Sequence, residues 1–383
     1  MKILAVGGGS GGHVTPVVAV LREIKKSNPD SEVRFWCDRK FATQAVSIMS
    51  NFDKNIPVHR IFSGKLRRYH HLSVLRQLLW PSLVLKNVRD GFLVLLGFFQ
   101  SFFKLIIWRP DVVFTKGGYV CLPVGIAARI LSIPLVIHDS DAHPGLTNRI
   151  LSKWATKIAT GAPLEYYSYP KERSRYVGIP VASEFHEFTE FEQLEAKEKW
   201  GIRTDRPLIV VTGGGLGASR INDAIMKDLG SLLKLGSLIL VSGKWQYDEI
   251  KAIAPKNDDN FQLHSFVSNN MNLLLGAADV VIARAGATTI LELAALAKPT
   301  ILIPNAKLTG GHQIKNAEVY RKAGAVKIVD EDLMIDKPSI LTDVVNEILS
   351  NRKETLQMSQ LFAPFARPDA ATDVADMIIS CVK

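Results

Sequence analysis

Twice along this chain a short apolar run leads straight into a cluster of glycines and then into a helical pattern. The first is Ile3–Val6, followed by Gly7-Gly8-Gly9-Ser10-Gly11-Gly12; the second is Leu208–Thr212, followed by Gly213-Gly214-Gly215-Leu216-Gly217. Backbone without side chains lets a phosphate approach closely, and the helix N-terminus that follows attracts its charge. Further apolar runs occur at Val33–Cys37, Val112–Thr115, Leu135–His138 and Lys157–Thr160, then at Leu238–Ser242, Gln262–Ser265, Val280–Ala283, Thr300–Ile303 and Val326–Val329. Longer helical patterns separate them, which predicts βαβ units and parallel sheets. The expected fold is α/β: two Rossmann-like parallel-sheet domains facing a cleft, over residues 1–163 and 164–361. A helix within 362–383 is expected to pack back on the first domain, and a mixed-charge linker is expected over 184–206.

The formal charge is +10, and nine Lys or Arg against one acid, Asp90, lie between Arg60 and Arg109. Most of the excess charge therefore sits in the most apolar part of the chain. Lys65, Arg67, Arg68, Arg76, Lys86, Arg89, Lys104 and Arg109 alternate there with Leu78, Leu79, Trp80, Leu83, Phe92, Phe98, Phe99, Phe102 and Phe103. That mixture predicts contact with an anionic membrane surface through 60–109; a buried helix pair with a solvated basic face is the bland alternative. The longest apolar run, Phe92–Trp108, is interrupted by Gln100, Ser101 and Lys104. It falls short of the roughly 20 apolar residues of a spanning helix. No nucleic-acid motif accompanies the charge, so a nucleic-acid partner is not expected. The three cysteines, Cys37, Cys121 and Cys381, are scattered, which fits a reducing compartment and no CxxC metal site.

Gly7, Gly9 and Gly12 fit the dinucleotide pattern GxGxxG, and Asp38 after the second strand suits the acid that grips a ribose. An NAD site is a real competitor. Against it, five glycines in six residues are looser than a dinucleotide turn requires, and His13 places an imidazole where a pyrophosphate would sit. His13 is otherwise a packed residue at a helix start. In Arg284-Ala285-Gly286-Ala287-Thr288-Thr289-Ile290-Leu291-Glu292 a strand gives way to a turn and a helix. Glu292 either accepts hydrogen bonds from ribose hydroxyls or is an acid favoured by the helix dipole. Gly310-Gly311-His312-Gln313-Ile314-Lys315-Asn316 suits sugar hydroxyls or, equally, a capped and solvated helix entry. Asp139-Ser140-Asp141 spells DxD, for which a polar loop after a strand is the expected reading, so no metal is predicted.

Taken in order, Gly8-Gly9-Ser10-Gly11-Gly12-His13 to Pro16, Lys116-Gly117-Gly118-Tyr119, Gly145-Leu146-Thr147-Asn148, the second glycine cluster, Arg284 to Glu292 and Gln313 to Ala317 form a series. The series resembles the MurG-type UDP-N-acetylglucosamine transferases of peptidoglycan lipid II synthesis, over residues 1 to about 330. The resemblance implies an inverting, metal-independent GT-B glycosyltransferase, without a cofactor, that takes UDP-GlcNAc as donor. Its acceptor is the muramyl 4-hydroxyl of a diphosphate-linked lipid, which places it peripherally on the cytoplasmic face of the plasma membrane. It further implies that backbone at Phe266 and Val267 holds uracil, that Glu292 binds ribose, and that Gly214 and Gly215 lie by the diphosphate. Arg284, Ala287 and Thr288 fall beside that nucleotide, and Gln313 and Asn316 beside the GlcNAc hydroxyls. On the acceptor side it implies Gly11, Gly12, Thr15, Tyr119 and Asn148, with His13 as general base. Asp141 is a second catalytic candidate.

The chain departs from that family at several positions. His138-Asp139-Ser140-Asp141 stands where the family has His-Glu-Gln-Asn, so an acceptor-side amide has become a carboxylate. Ala182 replaces a phosphate-binding arginine, Gly215 and Leu216 replace Ser-Gln, and His312 replaces a glutamine. Arg220 is a candidate to restore some of the lost positive charge. Other sugar nucleotides or lipid acceptors, a UDP-sugar epimerase, a silent nucleotide-sugar-binding homologue and an NAD oxidoreductase are the competing readings.

Overall fold

The computed structural model describes residues 1–8, 14–65, 67, 79–141, 144–214, 217–255, 258–267, 270–305 and 312–382, His312 by its backbone alone. The chain divides into two compact units, Met1–Ala182 with Arg367–Lys383, and Ser183–Ala366.

The first unit runs β1 (Lys2–Val6), α1 (Thr15–Ser27), β2 (Glu32–Asp38), α2 (Ala42–Phe52), β3 (Val58–Ile61), α3 (Pro81–Trp108), β4 (Val112–Thr115), α4 (Cys121–Ile130), β5 (Leu135–Asp139), α5 (Leu146–Leu151), β6 (Lys157–Thr160) and β7 (Ser174–Tyr176). Its seven strands are all parallel, in the order β3-β2-β1-β4-β5-β6-β7. Central strands β1, β4 and β5 are buried on both faces, which is why they read as unbroken apolar runs. The edge strands β3 and β7 are short and partly exposed, with polar residues interrupting them, so no apolar run announced them.

Residues 164–182, expected in the second domain, belong to the first unit, because β7 adds to β6 and extends its sheet.

The second unit runs α6 (Glu190–Lys199), β8 (Leu208–Thr212), α7 (Ser219–Lys227), α8 (Leu229–Leu235), β9 (Ser237–Val241), α9 (Tyr247–Ile253), β10 (Phe261–His264), α10 (Met271–Ala277), β11 (Val280–Ala283), α11 (Ala287–Ala295), β12 (Thr300–Leu302), α12 (His312–Lys322), β13 (Lys327–Ile328), α13 (Glu331–Asp336), α14 (Ser339–Ser350) and α15 (Arg352–Phe362). Six parallel strands take the order β10-β9-β8-β11-β12-β13, the same winding as in the first unit. The stretch expected as linker contains α6. Thr189 and Glu192 close a capping box at its start, and Lys197 pairs with Asp279 at 2.7 Å. The chain ends with α16 (Ala370–Ile379), whose Val374, Ala375, Met377 and Ile378 join the core of the first unit.

Helix α3 carries the apolar, basic stretch. It is one helix of 28 residues, about 42 Å long at 1.5 Å per residue, longer than the 17-residue run suggested. Leu83, Asp90, Gly97, Ser101, Leu105 and Trp108 form its buried face. At Gly97 an added Cβ would stand 1.8 Å from the Phe62 carbonyl oxygen, so only glycine permits this approach. The opposite face exposes Leu85, Val88, Phe92, Leu95, Phe99, Phe103 and Ile106, three or four residues apart. By length and composition α3 is a candidate membrane span. It is, however, the crossover between two parallel strands of one sheet and packs on one side against α4 and the end of β3, which favours a helix kept with its domain.

Candidate active site

In both sheets the strand order reverses beside the first strand of the unit, between β1 and β4 and between β8 and β11. Ligands of such sheets bind outside the carboxyl ends at that reversal. Each unit is therefore built outward from these two edges.

At the β8/β11 edge, Gly214 and Gly217 adopt φ of +75° and +76°, and Gly217 N donates to Gly214 O at 3.0 Å. This left-handed turn is open to glycine and strained for other residues. It leads into α7, while Gly286 leads from β11 into α11. Ala287 and Thr288 are half-buried in the first turn of α11.

Glu292 lies farther along, the sixth residue of α11, with no acid in the first turn. The dipole explanation fails there, because that effect fades after the first turn. The Glu292 carboxylate has no hydrogen-bond or ion-pair partner among the described residues. Burial pushes its pKa up to about 8. An unpartnered carboxyl held out of water is costly unless something binds it, and two neighbouring hydroxyls are suited to do so.

Arg284 is differently employed. It is 8% exposed, its Nη1 donates to Ile303 O at 3.1 Å, and its Nη2 pairs with Glu331. Arg220 pairs with the other oxygen of Glu331 at 3.0 Å. Glu331 thus ties together residues at the carboxyl ends of β8, β11, β12 and β13. The candidate replacement cation, Arg220, is already partly neutralised by it. No motif marked Glu331, which opens a short helix after a two-residue strand.

Phe266 is 42% exposed and Val267 is buried, both just beyond β10, with Lys244 Nζ 5.7 Å from the Phe266 ring centroid. Gln313 Oε1 accepts from Asn305 N at 2.9 Å, bracing the connection after β12, and Asn316 is buried in α12. Gly215 lies outside the described residues.

At the β1/β4 edge, Gly11, Gly12 and His13 lie outside the described residues. Thr15 begins α1 and is half-buried. Asp38 ends β2 and accepts from Lys40 N at 3.0 Å and Phe41 N at 3.1 Å; Tyr119 also hydrogen-bonds to it. An acid so engaged is not presented to a ribose, which removes the structural support for the NAD reading.

Around the carboxyl ends of β4 and β5 lies a buried polar group that the sequence patterns had not singled out as a unit. Lys116 is 1% and Asp139 is 4% exposed. Lys116 Nζ donates to Ser140 Oγ, and Tyr169 donates to Asp139 Oδ2 at 2.7 Å. Burial pushes Lys116 down to about 7, against the attraction of Asp139 and Asp141. Burial likewise pushes Asp139 up to about 7, against the Tyr169 hydrogen bond.

Asn148, a predicted acceptor residue, is buried beneath this turn. Its Nδ2 donates to His138 O at 3.2 Å, so it secures β5 from within the unit. Asp141 is half-buried at the turn's far end. Among the described residues no His, Cys, Asp and Glu side chains group to hold a metal ion.

The two doubly wound sheets, with a glycine turn at the reversal of the second, are those of a GT-B enzyme that handles a nucleotide sugar. Family models for the N-terminal and C-terminal domains of glycosyltransferase family 28 match residues 3–160 and 208–374. The chain belongs to glycosyltransferase family 28 and is a hexosyltransferase.

It is 32% identical over 384 residues to a Clostridium kluyveri protein, covering 100% of this chain and 99% of that one. That protein is named a UDP-N-acetylglucosamine–N-acetylmuramyl-(pentapeptide) pyrophosphoryl-undecaprenol N-acetylglucosamine transferase. Among solved structures, Acinetobacter baumannii MurG is similar with a TM-score of 0.71 at 24% identity, over 99% of both chains. A Neisseria meningitidis UDP-GlcNAc 2-epimerase bound to UDP-GlcNAc is similar with a TM-score of 0.69 at 15% identity, over 99% of this chain and 100% of that one. These two likenesses concern the fold, which transferase and epimerase share; the sequence relationship is what selects the transferase.

Proposed function

We infer that the chain transfers GlcNAc from UDP-GlcNAc to the muramyl 4-hydroxyl of an undecaprenyl-diphosphate-linked MurNAc-pentapeptide, inverting the anomeric carbon. The observation that carries the reading is Glu292, a half-buried carboxyl without a partner among the described residues, in the helix that follows the reversal strand β11. There it accepts the two ribose hydroxyls of the donor. Backbone at Phe266 and Val267 holds the uracil, and the Gly213–Gly217 turn with the N-terminus of α7 receives the diphosphate. Thr288 and Ala287 line the same nucleotide, and Gln313 and Asn316 take the GlcNAc hydroxyls.

In the first unit the glycines at 11 and 12 and Thr15 take the acceptor diphosphate. His13 removes the proton from the attacking hydroxyl, and Tyr119 and Asp141 lie on the acceptor side. UDP departs as an anion whose growing charge meets helix N-termini and backbone amides, so no metal enters the reading. Calorimetric titration with UDP-GlcNAc, followed by UDP release with a lipid I analogue, tests it. Binding with UDP release that needs both substrates is expected; binding without release points to another acceptor or a silent homologue.

The exposed seam of α3 is read as the membrane contact, which puts the enzyme peripherally on the cytoplasmic face. Asp90 neutralises part of the basic stretch, pairing with Arg67 at 2.6 Å and Arg89 at 2.9 Å. Lys65, Lys86, Lys104 and Arg109 remain for an anionic surface. Phe92→Glu, at a position 59% exposed, is expected to weaken binding to anionic vesicles at low salt. Roughly tenfold or more is the worth of one inserted aromatic side chain. Co-sedimentation measures it, and unchanged binding would remove the seam from the contact.

A further inference from the structure

We propose that Tyr167 and Tyr169 are positioning residues that hold the Asp139–Asp141 turn so that the carboxylate of Asp141 is set for acceptor recognition. The proposal rests on the reading that this edge of the first sheet faces the acceptor.

Both tyrosines lie in the connection between β6 and β7, are buried, and stack with ring centroids 5.3 Å apart and planes 19° from parallel. Their hydroxyls reach opposite ends of one turn. Tyr169 donates to Asp139 Oδ2 at 2.7 Å, and Tyr167 donates to the main-chain oxygen of Asp141 at 2.7 Å. Tyr167 also accepts from Ala162 N at 3.2 Å, which fixes its hydroxyl between two backbone segments. Ser140, between the two ends, receives Lys116 from the end of β4. Gly161 N donates to Asp139 O at 2.7 Å, and the ring of His138 meets Gly178 O through Nε2 at 2.8 Å.

Four consecutive residues at the carboxyl end of a central strand are thus gripped from other elements. Turns at this edge of a parallel sheet are where ligands are met, and precise placement of a recognition group needs support of this kind. A buried tyrosine is an efficient support, because its ring brings packing and little rotational freedom is lost when its hydroxyl is fixed. Stacking adds rigidity, so a shift of one ring is transmitted to the other.

Steady-state kinetics with a lipid I analogue and UDP-GlcNAc test the proposal. Tyr167→Phe keeps the ring and the stack but removes the bond to residue 141. It is expected to raise the acceptor KM roughly 3- to 10-fold, the worth of one hydrogen bond, with the donor KM unchanged. Asp141→Asn is expected to change the acceptor KM in the same assay. Combining the two is expected to add nothing beyond Asp141→Asn alone, since both act through one group. Tyr169→Phe, also ring-preserving, carries the same expectations should Tyr167→Phe fold poorly.

Equal changes in donor and acceptor KM, or additive effects in the double variant, would make the tyrosines general supports of the fold and overturn the proposal. Asp141→Asn without effect overturns it from the other side, by removing position 141 from the acceptor. Should the wild-type protein bind the analogue without turnover, the same comparisons are read as analogue Kd values, so failure of the transferase reading stays distinct.

Discussion

Glu292→Ala is expected to raise the KM for UDP-GlcNAc roughly 10- to 150-fold, leaving the acceptor KM in place. The range corresponds to about 1.5–3 kcal/mol for losing hydrogen bonds to a charged group. The carboxyl has no partner among the described residues, so its removal strands no buried donor there, and the protein should remain folded. The raised pKa of about 8 adds a second signature. Near pH 7 the unliganded carboxyl is mostly protonated, whereas two ribose hydroxyls donate best to the ionised form. Binding should therefore release a proton at pH 7 and tighten as pH rises through 8. Titration calorimetry in two buffers of different ionisation enthalpy measures that proton. Its presence in the wild type and absence in Glu292→Gln is the expected pair of results, and equal proton release by both would place the titrating group elsewhere.

Lys116→Met is expected to destabilise the first unit by about 1–3 kcal/mol, as leaving a buried hydrogen-bonding group without its donor does. The lysine is fully enclosed, donates to Ser140, and lies within the fields of Asp139 and Asp141. Without it, the buried Asp139 carboxyl keeps Tyr169 but loses its nearby cation. Asp139→Asn in the Lys116→Met background should recover much of the loss, because the remaining charge is removed with its partner. Urea unfolding of the single and double variants provides the comparison. A neutral Lys116→Met would mean that lysine and aspartate are both uncharged in the folded protein, the state toward which burial pushes each.

Central strands were legible because burial on both faces leaves them little choice but Val, Ile, Leu and Ala. Val112–Thr115, Lys157–Thr160, Leu208–Thr212 and Val280–Ala283 appear with the expected limits. Edge strands β3 and β7 were not legible, since a partly exposed strand of three or four residues of mixed polarity is too short to carry a period. Missing β7 also shifted the expected domain boundary. The second glycine turn could be anticipated because its backbone geometry is constrained locally, whereas spacing alone left Glu292 open between a ribose contact and a helix-dipole acid. The Lys116, Asp139 and Tyr169 group could not be assembled from spacing alone. Its members come from three elements, and only the strand order brings them together. Arg284 shows the opposite case: a motif position read as facing the nucleotide is held by Glu331, an acid far along the chain.

Helix α3 is complete before it meets any surface. Its C-terminal end runs directly into β4, and its inner face is packed, so the outer seam has a fixed shape in water. A peptide that becomes helical only on adsorption must give up backbone freedom of about 1–2 kcal/mol per residue as it does so. For α3 that entropy was lost when the domain folded, and none is charged against adsorption. Whatever covers the seam gains nearly the full return from the apolar area it removes from water. A fully solvated chain retains that exposed area as a standing tendency toward self-association.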